Sequence, residues 1–162
     1  MLSARGRLTV LHTFTGLQNG EEPFGLTPDQ TGNLYGTANG GRHKQGLIYR
    51  LQRTGNYKVE YSFKLAPDGS VPVSLLVADS NVGYGATFGG GGFVCGHEGC
   101  GTIFAIDRVN GETVLYNFTG KEDGEAPRSL VRDDSGTLYG TSTFLGDCVP
   151  PYGCGTVFRL TP

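Results

Sequence analysis

Leu34-Tyr35-Gly36-Thr37 is written three times in this chain, returning as Tyr84-Gly85-Ala86-Thr87 and as Leu138-Tyr139-Gly140-Thr141. With the tyrosines aligned, the rest of the sequence falls into register. A phenylalanine stands 21 residues before each tyrosine (Phe14, Phe63, Phe118), and a proline follows that phenylalanine by nine (Pro23, Pro72, Pro127). After each tyrosine comes a Gly-x-aliphatic-aromatic run: Gly46-Leu47-Ile48-Tyr49, Gly101-Thr102-Ile103-Phe104 and Gly155-Thr156-Val157-Phe158. A period of about 50 residues with four strand signals and no helical recurrence points to β-propeller blades.

Composition agrees. Of 162 residues, 28 are glycine without a collagen period, and hydrophobic content is 37 %, too high for disorder. Glycine at that density beside Thr, Tyr, Phe and Val marks short strands joined by tight turns. A net charge of −2 leaves no basic footprint for nucleic acid. No run of about 18 apolar residues reads as a membrane span, and Met1 to Arg7 lacks the apolar run of a signal peptide.

Lettered by inner-to-outer blade order, strand A is expected at Phe24–Thr27, Val73–Val77 and Ser129–Arg132. Strand B carries the Tyr-Gly motif, and strand C the aromatic run ending near Leu51, Ile106 and Leu160. Strand D alternates, with Val10, His12 and Phe14 on one face, matched by Val59, Tyr61, Phe63 and by Val114, Tyr116, Phe118. The units run at about 8–52, 57–108 and 112–162, in one repeat domain over 1–162. The tyrosines are expected to pack between blades, the glycines letting the next blade come close.

Phase is the informative feature. The chain opens on a strand D and closes on a strand C, so the last blade lacks its fourth strand. Unmatched edges are templates for pairing between chains. Strand exchange between subunits is therefore expected, through Leu8, Val10, His12 and Phe14 on one side and Thr156, Phe158 and Leu160 on the other. The product is a homo-oligomer: a six-bladed dimer, a larger ring or a filament.

The repeats differ in length only between the tyrosine and the strand-C glycine, by 11, 17 and 16 residues. The additions hold all four cysteines, Cys95 with Cys100 and Cys148 with Cys154, which read as two short-loop disulfides. Metal binding by Cys95, His97 and Cys100 is the weaker reading, since the second loop has no histidine. Disulfides place the chain in an oxidising compartment, extracellular or at a cell surface.

The unit Leu11-His12-Thr13-Phe14-Thr15-Gly16, Pro23, Gly32-Asn33-Leu34-Tyr35-Gly36-Thr37, Gly40-Gly41 and Gly46 to Leu51 resembles the GloVer-type tandem repeat of bacterial surface and secreted proteins. The third copy matches it best, through Phe118-Thr119-Gly120, Asp123-Gly124, Pro127, Leu138 to Thr141 and Gly155 to Leu160. The resemblance spans nearly the whole chain and implies an extracellular repeat protein. It brings no catalytic residues.

Chemistry is sparse. There is no nucleophile elbow, zinc-protease motif or phosphate loop. Asp29, Asp79 and Asp133 precede the A–B turns and read as turn stabilisers. Asn19, Asp68 and Asp123, each followed by glycine, sit in a D–A loop enriched by Glu21 and Glu125. A polar turn accounts for them, and the sharper reading is a repeated site for sugar hydroxyls or Ca2+. No other cofactor is expected. The leading expectation is a non-enzymatic structural or scaffold module; the alternatives are a multivalent lectin-like binder and a secreted enzyme with its site on one ring face.

Overall fold

The computed structural model describes residues 6–78, 82–92, 95–96, 98–107, 109–144 and 153–162. They form an all-β fold of three antiparallel sheets. The first holds β1 (Glu21–Pro28), β2 (Leu34–Asn39), β3 (Leu47–Leu51) and β4 (Tyr57–Ser62); the second holds β5 (Gly69–Val77), β6 (Val82–Gly90), β7 (Thr102–Asp107) and β8 (Gly111–Asn117). The third has only three strands, β9 (Glu125–Arg132), β10 (Leu138–Phe144) and β11 (Thr156–Leu160). Strands within each sheet follow sequence order, and a 3-10 turn at Leu17–Asn19 leads into the first.

The tight hairpins follow from their turn residues. In the β1–β2 turn the Asp29 carboxylate accepts the Thr31 and Asn33 N–H groups, both at 2.9 Å. Asp133 does the same for Ser135 and Thr137 before β10, at 3.0 and 2.9 Å. These two are turn stabilisers, as the sequence indicated; Asp79 lies outside the described residues.

The Tyr-Gly motif works within its own sheet, which corrects the expectation for its glycine. Gly36, Gly85 and Gly140 pair across the ladder with Tyr49, Phe104 and Phe158. Each aromatic ring lies over its glycine so closely that a Cβ there would overlap it. The tyrosine side chain points the other way. Tyr35 joins Ile48, Phe63, Leu75 and Phe104 in the core between the first and second sheets, and Tyr84 packs on the equivalent core with Ile103, Phe118, Leu130 and Leu138.

The sheets are layered in chain order: β5 packs on β1 and β2, and β9 on β5 and β6. Two joints of the same construction result. Phe63, just past β4, meets Phe104 edge-on at 5.2 Å, and Phe118, just past β8, meets Phe158 at 5.2 Å. Phe14 meets Tyr49 in the same way at 5.1 Å. The segment before the first sheet thus occupies the place that β4 and β8 take before the second and third.

Two expectations change. Strand A is longer than read: β1, β5 and β9 begin at Glu21, Gly69 and Glu125, so Glu21 and Glu125 start strands rather than decorate a long loop. Residues 8–14, expected as a strand D, belong to no sheet in the isolated chain. A strand exists only with a ladder partner, and the neighbouring first sheet already has its four.

Candidate functional site: two open sheet ends

The polar residues of the sequence reading are used inside the fold. Tyr61 Oη–H donates to Asp68 Oδ2 at 2.6 Å, and the Lys64 N–H donates to the same oxygen at 3.2 Å. In the third copy the Tyr116 hydroxyl and the Thr119 N–H donate to Asp123 Oδ2, at 2.9 and 2.8 Å. In the first copy His12 Nε2 lies 3.3 Å from Asn19 Oδ1, which also accepts the Thr15 N–H at 3.2 Å. Each is the same lock: a side-chain oxygen tied to the aromatic seven residues back and the backbone four back. These hydrogen bonds outweigh burial and hold the Asp123 carboxyl below its ordinary value. Burial, then the bond to Asp68, raises the Tyr61 phenol.

Asn19, Asp68 and Asp123 therefore lie in equivalent turns, with oxygens engaged internally, and Asp68 is buried. Glu125 is partly buried, which raises its carboxyl, while Glu21 is exposed. Among the described residues no three His, Cys, Asp or Glu side chains converge to hold a metal ion.

A charged residue that periodic reading overlooked is Glu112, at the start of β8. Its register position belongs to Tyr57 in β4, since Glu112 pairs with Ile106 as Tyr57 pairs with Leu51. Burial, then the Asp68 charge, pushes its carboxyl up to about 7 against the pull of Lys64.

The cysteine loops are as expected where described. Cys95 and Cys100 form a disulfide. Cys154 is disulfide-bonded too; Cys148 and His97 lie outside the described residues.

The distinctive surfaces are the two ends of the stack. Leu75 and Leu130 are 8 % and 5 % exposed, but their equivalent Leu26 in β1 is 58 % exposed, because among the described residues no sheet packs on that face of the first. At the other end, Ile48 and Ile103 are 2 % and 1 % exposed, whereas the equivalent Val157 in β11 is 83 % exposed. Leu8, Val10 and Leu11 are also exposed, and Tyr139 and Val131 are open on the third sheet. A shallow groove of about 210 Å³, lined by Tyr116, Phe118, Asp123, Val157, Phe158 and Leu160, runs along β11. The sequence-selected residues Leu8, Val10, His12 and Phe14 thus lie at one end, and Thr156, Phe158 and Leu160 at the other. Within the first group His12 and Phe14 are held by ring contacts: His12 stacks on Tyr57 at 3.9 Å and meets Phe14 edge-on at 4.9 Å, and Phe14 also meets Tyr49 and Tyr57.

No family model matches the chain, and no curated protein matches it. A solved structure of a luciferin-regenerating enzyme is similar at 15 % identity with a TM-score of 0.47, over 74 % of this chain and 38 % of that one. The chain thus spans under half of that protein's length.

Proposed function

We propose that this chain is a non-enzymatic structural module of β-propeller type, three blades long, that assembles with further copies of itself by strand exchange. The observation carrying this is that one joint, made twice within the chain, stands half-made at each end. Leu26 is bare where Leu75 and Leu130 are covered, and Val157 is bare where Ile48 and Ile103 are covered. Each half is what the other lacks.

The third blade has an open β11 edge, and residues 8–14 of a second copy supply its fourth strand. Contiguous exposed apolar surface beside an unpaired edge is costly in a free chain and serves as an interface. Two chains closing on each other give a six-bladed ring, a size within the known range. The Cys95–Cys100 bridge supports an extracellular or cell-surface setting, where disulfides persist. The role we assign is that of a scaffold.

The test is sedimentation of the full chain beside Val157→Lys. A lysine at this exposed edge position leaves the isolated fold intact and opposes strand addition. The wild type should sediment at a multiple of the chain mass and the variant as a monomer. A wild type that stays monomeric at high concentration refutes the proposal.

A further inference from the structure

We propose that Glu22-Pro23 is a docking latch received by Cys154-Gly155 of a second copy, and that this contact sets the donated strand on β11 in one bulged register. The inference rests on the assembly proposed above and assigns its contacts.

The two internal joints show how the latch works. Within β5 and β9, the residue before the proline that recurs in each copy has a left-handed backbone: φ is 52° at Val71 and 55° at Ala126. A β-branched valine rarely adopts that conformation, so something outside the strand must hold it. The Val71 N–H donates to the Gln45 carbonyl at 2.8 Å, and the Ala126 N–H to the Cys100 carbonyl at 2.9 Å. Both acceptors belong to the preceding sheet. The adjoining proline rings, fully buried, press on the next residues, Gly46 and Gly101, so closely that a Cβ there would strike Pro72 or Pro127. The carbonyls of those glycines in turn accept the Phe63 and Phe118 N–H groups, each at 3.0 Å.

Both halves of a third latch are present and apart. Glu22 holds the same left-handed backbone at φ 46°, next to an exposed Pro23, and its carboxylate is turned onto its own sheet by a 2.7 Å bond from Asn39. Gly155 keeps the left-handed backbone of Gly46 and Gly101, with φ 75° against 98° and 93°. In the assembled pair the Glu22 N–H donates to the Cys154 carbonyl, Pro23 covers Gly155, and the Phe14 N–H donates to the Gly155 carbonyl. Cys100 and Cys154, the acceptors in the two lengthened loops, are both disulfide-bonded, which fixes the carbonyl where the shorter loop of Gln45 needs no brace.

The register follows from the two internal examples. Leu47, Ile48, Tyr49, Arg50 and Leu51 pair with Ser62, Tyr61, Val59, Lys58 and Tyr57, skipping residue 60. The second sheet pairs Thr102, Ile103, Phe104, Ala105 and Ile106 with Asn117, Tyr116, Val114, Thr113 and Glu112, with its irregularity at the same step. Carried to the third sheet, Thr156 pairs with Thr13, Val157 with His12, Phe158 with Val10, Arg159 with Thr9 and Leu160 with Leu8. A slip by two residues would keep every side chain on its face, so it is the alternative to exclude.

Two measurements on the full chain decide this. In sedimentation, Pro23→Asp should raise the dissociation constant at least about tenfold, because a charge would be buried unpaired against Gly155. Its thermal midpoint at low concentration should stay that of the wild type, as should that of Pro23→Ala. In oxidative cross-linking of mixed chains, His12→Cys with Val157→Cys should give the covalent pair, and His12→Cys with Arg159→Cys should not. If Val157→Lys dissociates the assembly but Pro23→Asp leaves it intact, the latch is wrong and strand exchange stands. Preferential cross-linking at Arg159 overturns the register. A monomeric wild type overturns both proposals.

Discussion

Replacing Asp68 separates a turn lock from a ligand group. Asp68→Ala removes the acceptor for the Tyr61 hydroxyl, 2.6 Å away, and for the Lys64 N–H at 3.2 Å. Lys64 is exposed, so its amide regains water, and most of the loss comes from the partly buried phenol. A hydrogen bond to a charged acceptor, with the donor left unpaired, is worth about 2–3 kcal/mol. For a chain of this length that lowers the melting midpoint by roughly 5–10 °C. Asp68→Asn should cost under about 1 kcal/mol, because Asn19 already fills this role opposite His12. Tyr61→Phe should cost about 1–2 kcal/mol and be largely silent in the Asp68→Ala background. The assay is thermal unfolding followed by far-ultraviolet circular dichroism. It should be run on the acid side of the Glu112 transition, since the Asp68 charge helps hold that carboxyl up and its removal also relieves repulsion at higher pH. Equal shifts for Asp68→Ala and Asp68→Asn, or no coupling to Tyr61, would refute the lock.

Three further expectations concern the same framework. Glu112 has a folded value of about 7 against 4.5 unfolded, so the fold favours its neutral form; the stability this contributes is complete below pH 4.5 and lost as pH rises through 7. Glu112→Gln should therefore be neutral in acid and stabilising above that range, by about 1–2 kcal/mol once partial exposure is discounted, as urea titration at the two pH extremes would show. Gly85→Ala should cost about 2–3 kcal/mol in urea unfolding, because its Cβ would overlap the fully buried Phe104 ring and come within 2.5 Å of the Ser74 carbonyl. Gly36→Ala should cost less, as its obstacle is the Tyr49 hydroxyl end. Replacing Cys95 and Cys100 together by serine opens a bridge of sequence separation 5, which chain entropy values at roughly 2 kcal/mol, and the loss should appear in the unfolding midpoint without reductant.

Periodicity made the strands of this fold legible, and geometry supplied what periodicity could not. The Tyr-Gly motif, the aromatic strand-C runs and the lengthened cysteine loops recur at fixed spacing, so β2, β3, β6, β7, β10 and β11 were readable from the residues. The starts of β1, β5 and β9 were not, because a proline after a left-handed residue looks like loop. The glycine of the motif was assigned to the next sheet because ladder register does not show in a single sequence; its partner is the aromatic of its own sheet. The seven-residue spacing of His12 and Asn19, Tyr61 and Asp68, Tyr116 and Asp123 was present in the letters. Its first members read as strand-D residues and its second as a polar turn or ligand site, because only the folded turn brings the two together. Glu112 escaped because it has no acidic counterpart in the other copies.

The uneven coverage of the three sheets also has a consequence for how the chain opens. The second sheet has a neighbour on both faces, while the first and third each have one bare face, marked by Leu26 and Val157. In a stack where each layer is supported mainly by those beside it, local opening costs least at the ends. Amide exchange in the isolated chain should therefore be slowest in β6 and β7 and fastest in β11, whose outer amides meet solvent. Contact with another copy would turn end layers into inner ones, and β11 would then gain the most protection.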